Sequence, residues 1–80
     1  MPKYNGHKNY NYWNVSLWIA NDEGLYRLAL DCIRESANRT EAAERFLDMV
    51  TDPQVGGKDT TPDGVKWTKS AIRAGMVELT

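Results

Sequence analysis

Residue types able to do covalent or metal chemistry are scarce in this chain of 80 residues, which has one histidine, His7, and one cysteine, Cys32. A thiol or hydroxyl nucleophile needs a base within hydrogen-bond reach, and a zinc site needs several His, Cys or carboxylate ligands at set spacings. One imidazole and one thiol about 25 residues apart supply neither. Cys32 also falls on the apolar stripe of a predicted helix, where a thiol packs rather than reacts. Gly56-Gly57-Lys58 has the look of a phosphate-binding loop, but Asp59 follows where Ser or Thr is required, and no glycine stands five positions before Gly57. The expectation is a protein that is not an enzyme and holds no cofactor or metal.

Binding chemistry has three candidates. The stretch NYWNVSLWIAND, residues 11–22, contains two of the three tryptophans. It could stack on nucleic-acid bases, each stacked base contributing about 1–3 kcal/mol along a basic groove. Here the rings are separated by Asn and Ser, and the nearest cations are Lys3 and Lys8. A short chain needs its large apolar side chains inside, so Trp13, Leu17 and Trp18 are expected to build the core. The second candidate is acidic. At 100° per residue, Glu41, Glu44, Asp48 and Asp52 fall within one arc of a helix, roughly opposite the stripe Ala43, Phe46, Leu47 and Val50, with only Arg45 near them. Such a ridge is either a solvated face or a strip of carboxylates offered to a basic protein surface that normally holds DNA phosphates. The third is a basic row, Lys66, Lys69 and Arg73, whose three phosphate contacts would give weak affinity without dimerisation or base readout.

The elements that must position these residues are predicted to be helices. Residues 1–8 read as an irregular arm. Asn9 or Asn11 could cap a first helix containing Trp13 and Leu17; a strand is the rival reading, because Trp13, Val15, Leu17 and Ile19 alternate with smaller or polar residues. Asp22 caps a second helix with Leu25, Leu28, Ala29, Cys32 and Ile33 inward and Arg27 and Asp31 on the wet side, ending near Ser36 to Asn38. Thr40 is read as the cap of a third helix, stopped by Asp52-Pro53. Residues 53–64, PQVGGKDTTPDG, read as a long loop ending in a Pro-Asp-Gly turn. Thr68 or Ser70 starts a last helix with Ile72, Met76 and Leu79 inward, weakened by about 1 kcal/mol at Gly75 relative to alanine. The fold class is thus mainly α, one small domain over residues 1–80 with about four helices.

Composition bounds the setting. The chain is 41% hydrophobic and 26% charged, as ordinary globular proteins are. No apolar run approaches the roughly 18 residues of a membrane-spanning helix, and the start lacks the pattern of a secretory signal. A single cysteine permits no internal disulfide. The expected location is the cytoplasm, where the triplets Asn14-Val15-Ser16 and Asn38-Arg39-Thr40 match the glycosylation pattern by chance. Ten basic residues against eleven acidic ones, a net charge of −1, argue against general charge-driven binding to nucleic acid.

Residues 4–26 carry the series Tyr-Asn-Gly, Asn-Tyr, Trp-Asn-Val, Leu-Trp and Asn-Asp-Glu, with Thr61-Pro62-Asp63-Gly64-Val65 and Trp67 as a looser match near the end. In these residues the chain resembles a family of small proteins of bacteriophages, prophages and bacteria, many of which have Glu-Thr in place of Asn11-Tyr12. In length and character it also resembles the small anti-CRISPR proteins directed against type I-C systems. That resemblance implies a non-enzymatic inhibitor that sits on host CRISPR effector subunits and prevents target DNA recognition or nuclease recruitment. The alternative is a small DNA-binding regulator of a phage or mobile element.

Overall fold

Capping side chains decide where the helices begin. In the computed structural model, which describes residues 10–77 and residue 79, α1 (Tyr10–Asn21) runs to Asp22, whose carboxylate accepts from the Leu25 amide at 3.0 Å and opens α2 (Glu23–Glu35). Asn38 accepts from the Glu41 amide at 2.8 Å and opens α3 (Arg39–Val50). Asp52 accepts from the Gln54 amide at 2.9 Å and starts a single 3-10 turn, Pro53–Val55. The Thr68 hydroxyl accepts from the Ala71 amide at 3.3 Å, at the start of α4 (Lys69–Val77). The fold is therefore the expected four-helix domain, and no strand forms among the described residues beyond an isolated antiparallel bridge between Thr60 and Lys66. The expected arm at 1–8, with the possible cap at Asn9, lies outside the described residues.

Several local expectations need correction. Asn38, not Thr40, caps α3: its backbone is extended (φ −155°, ψ 173°), and it precedes Glu41 by the three residues an N-terminal cap requires. Asn11 lies within α1 rather than at its cap. Arg27 and Asp31 are exposed, as expected; Arg27 pairs with Glu23 at 2.7 Å and Asp31 with Arg34. An acid one turn N-terminal to a base is the better orientation on a helix, adding a few tenths of a kcal/mol.

The helices form a ring in which α1 packs on α2, α2 on α3, α3 on α4 and α4 back on α1. Phe46, Ile19, Ile72, Met76 and Val15 are fully buried at its centre, spaced by Ala29, Ala42, Ala43 and Ala71. Leu25, Leu28, Ile33, Leu47 and Val50 pack around this centre half-buried. Residues 13–19 are helical, as preferred over the strand reading, but of the side chains expected to build the core only Trp18 packs against it, and none is fully buried. Trp13 and Trp18 are half-buried and Leu17 is 36% exposed, while Val15 and Ile19 face inward. The reason is a close approach of α1 and α4. A Cβ on Gly75 would lie 3.3 Å from Ser16 Cα and 3.4 Å from Ile19 Cδ1, leaving no room there for an indole.

The segment between α3 and α4 is folded back on itself. Gly57 and Lys58 donate to the carbonyls of Asp52 and Val50 at 2.8 and 3.2 Å, and a Cβ on Gly57 would lie 2.6 Å from the Val50 oxygen. The glycine pair therefore serves this turn. Thr61-Pro62-Asp63-Gly64 makes the expected tight turn, closed by Gly64 N–H on the Thr61 carbonyl at 2.8 Å. Beyond it Trp67, outside the core residues expected from sequence, enters the core edge-on to Phe46, with ring centroids 5.7 Å apart.

Gly75 supplies the first test. Alanine is normally favoured over glycine in a helix by about 1 kcal/mol, but Gly75→Ala is expected to lower the melting temperature, because backbone atoms of α1 would have to give way. Gly75→Leu is expected to cost more, on the order of 2–3 kcal/mol. Thermal unfolding followed by circular dichroism decides it, and a raised melting temperature for Gly75→Ala would show that the helix contact has slack.

Candidate functional site

Two groups of polar side chains stand out, and the geometry assigns them different work. Asn11, Asn14 and Trp18 recur at three- and four-residue steps and so share one side of α1. Asn14 is completely buried; its Nδ2 donates to Asp63 Oδ2 at 2.8 Å and its Oδ1 accepts from the Thr61 hydroxyl at 2.8 Å. Trp18 Nε1 donates to the same Asp63 oxygen at 3.0 Å. Asn11 donates to the Lys66 carbonyl at 2.9 Å and accepts from the Thr68 hydroxyl at 3.4 Å. The hydrogen bonds from Asn14, and then Trp18, hold the Asp63 carboxyl below its usual range against a lesser effect of desolvation. These groups satisfy one another within the chain, so the cluster is a fastener between α1 and the α3–α4 segment.

Sequence reasoning missed this cluster, although a signal was there. Asparagine is a poor residue for a helix interior, and two of them one turn apart beside an indole call for a tertiary partner. The same contacts bear on the glycosylation-like triplets, since the Asn14 amide is buried and the Asn38 side chain caps α3.

The second group is the acidic face. On α3, Glu44 and Asp48 are exposed, and Glu41 is half-buried with Arg45 at 3.6 Å from its carboxylate. Asp52, expected in the same helical arc, is set apart because α3 stops at Val50 and the Asp52 carboxylate is used by the 3-10 turn. The structure adds residues from a second helix. Asp31 and Glu35 of α2 line a groove with Asp48 and Arg45, over a floor of Leu28, Cys32 and Met49, with a volume of about 340 Å3. Cys32 is 4% exposed, and its thiol is pushed up chiefly by burial; Arg45 opposes this, while Glu35 and Asp31 add to it.

The basic row is less coherent. Lys69 and Arg73 lie one turn apart on α4 and are exposed, but Arg73 Nε donates to the Thr40 hydroxyl at 3.1 Å. Lys66 is exposed in the bridged segment before the helix. Among the described residues there is no group of three or more His, Cys, Asp or Glu able to hold a metal ion, and no helix long and apolar enough to cross a membrane.

Two measurements test these assignments. Because the folded Asp63 value is lowered, its contribution to stability is present in full above the unfolded value of 3.8 and is lost as the pH falls through the folded value. Asp63→Asn should therefore destabilise the protein at pH 7 and show a smaller difference from the parent at pH 2 in urea unfolding; equal differences at both would remove the fastener role. Cys32 should react with a thiol reagent on the order of 100-fold more slowly in the folded protein than in the unfolded chain, and rapid labelling of the folded protein would contradict its buried, protonated state.

No curated protein and no solved structure matches the chain. A family model matches it over residues 1–80, and the protein belongs to that family, DUF7249, a family of unknown function.

Proposed function

We propose that this protein is a non-enzymatic inhibitor of a host defence complex, docking the acidic face of α3 on a basic protein surface that otherwise holds DNA. The observation that supports this reading is the arrangement of charge. Glu44 and Asp48 are exposed on the side of α3 away from the core, joined across the groove by Asp31 and Glu35 of α2. The neighbouring cations are already engaged, Arg45 with Glu41 and Arg34 with Asp31.

Carboxylates one helical turn apart are spaced by about 5–6 Å, a charge density below but comparable with one DNA strand, which carries a phosphate per roughly 3.4 Å. A surface shaped for phosphates would be attracted to such a face, and its positive field would speed encounter. The resemblance to phage proteins and to anti-CRISPR proteins directed against type I-C systems narrows the surface to the DNA-binding groove of a type I CRISPR surveillance complex in the host bacterial cytoplasm. Glu41, Glu44, Asp48 and Asp52 are the proposed partner contacts, with Glu44 and Asp48 foremost because their carboxylates are exposed. The alternative, a DNA-binding regulator acting through Lys66, Lys69 and Arg73, draws on the exposure of the two lysines, and Arg73 is partly committed to Thr40.

Mixing the purified protein with an assembled type I-C surveillance complex and a target duplex on a native gel tests both readings. The expected result is co-migration with the complex and loss of duplex binding. The double variant Glu44→Lys/Asp48→Lys should weaken inhibition by at least about tenfold with the melting temperature little changed. Unchanged inhibition by that variant would exclude the acidic face. A shift of the duplex by the small protein alone, lost on changing Lys66, Lys69 and Arg73 to alanine, would put the regulator first.

A further inference from the structure

The acidic face has an apolar floor, which a surface that merely stands in for phosphates does not need. Met49 is 53% exposed, the highest value among the exposed large hydrophobic side chains of the described residues, and it lies in the groove with Leu28. An exposed position on a helix is filled equally well by lysine or glutamate, so packing does not account for a methionine there. A flexible, polarisable thioether is well suited to a surface that repacks against an incoming side chain. The groove, about 340 Å3, lies at the small end of the range that holds ligands, about 300–1,000 Å3.

The rim limits what can enter. Asp31, Glu35 and Asp48 share the rim with Arg45, which is within 3.6 Å of Glu41, and Asp31 is paired with Arg34, so Glu35 and Asp48 carry most of its open negative charge. A nucleic acid would be repelled. A second copy of this chain, docked by the same patch about a two-fold axis, would set acidic rim against acidic rim.

We propose that the α2–α3 groove is the docking site for a basic amphipathic segment of a partner protein. The segment places one large apolar side chain over Leu28 and Met49 and sets Lys or Arg side chains against Asp31, Glu35 and Asp48. This deepens the acidic-face reading and rests on it for the sign of the partner's charge. It differs in the energetics, because an apolar anchor buried at the centre of a charged rim carries much of the affinity in such contacts and is not screened by salt.

The test uses the full chain and three synthetic helical peptides: one with leucines on one face and lysines on the other, one with serine replacing each leucine, and one with glutamate replacing each lysine. Binding is followed by fluorescence anisotropy at low and high salt, and by the Met49 methyl signal in NMR. The leucine–lysine peptide is expected to bind at both salt concentrations and to shift the Met49 methyl. The other two peptides should bind at least about tenfold more weakly. Met49→Gln, a change at an exposed position, should weaken the leucine–lysine peptide severalfold without altering the melting temperature.

Equal binding of the serine peptide, an unmoved Met49 signal, or no binding of any peptide would overturn the groove proposal. If none binds while Glu44→Lys/Asp48→Lys still abolishes inhibition of the surveillance complex, the groove proposal falls and the acidic-face reading stands. If the leucine–lysine peptide binds through Met49 while that double variant inhibits normally, the groove proposal stands and the acidic-face reading falls.

Discussion

Burying the amide of Asn14 obliges both its ends to find partners, because an unmet polar group inside a protein costs about 1–3 kcal/mol. The partners come from forty-seven and forty-nine residues away, in Thr61 and Asp63. Meeting them pins the Thr61–Gly64 turn to α1, and the segment that follows has little freedom left. Trp67 is delivered against Phe46, and Thr68, also bonded to Asn11, opens α4. The placement of α4, and through it of α3, thus descends from a small set of polar contacts on one side of α1.

The close approach at Gly75 is the apolar counterpart of that constraint. With Ser16 and Gly75 in contact, α1 and α4 meet nearly backbone to backbone, and the aromatic rings of α1 are left to the flanks. Trp18 then serves through its ring N–H, which reaches Asp63, as much as through its apolar surface. Side chains of α1 and of the Thr61–Thr68 stretch meet in this one cluster.

Function is left to the surfaces that the fold does not consume. The fastener between α1 and the loop uses its donors and acceptors internally, and Cys32 is enclosed. The far side of the ring, where α2 and α3 pack together, carries exposed carboxylates above Leu28 and Met49. Its charge is the basis of the proposed docking on a basic protein surface. The same ring that buries Phe46 brings Asp31 and Glu35 of one helix beside Asp48 of the next.

Read alone, the residues determined what local physics controls. Asp22 as a cap, the stripe of α2, the stop at Asp52-Pro53 and the Pro-Asp-Gly turn depend on neighbours within a few positions, where hydrogen-bonding and steric preferences act directly. The acidic side of α3 was legible for the same reason, since a helix of known period sets its own faces. Where two caps were equally acceptable by type, Asn38 and Thr40, the choice turned on one backbone conformation. The tertiary structure alone decided that Val15 and Ile19 of α1 are fully buried while its tryptophans are only half-buried, that Trp67 enters the core, and that Asp52 leaves the acidic arc. It also decided that the groove is shared by two helices. Each of these depends on which helices approach and how closely, a contest among contacts far apart in the chain that no local pattern encodes.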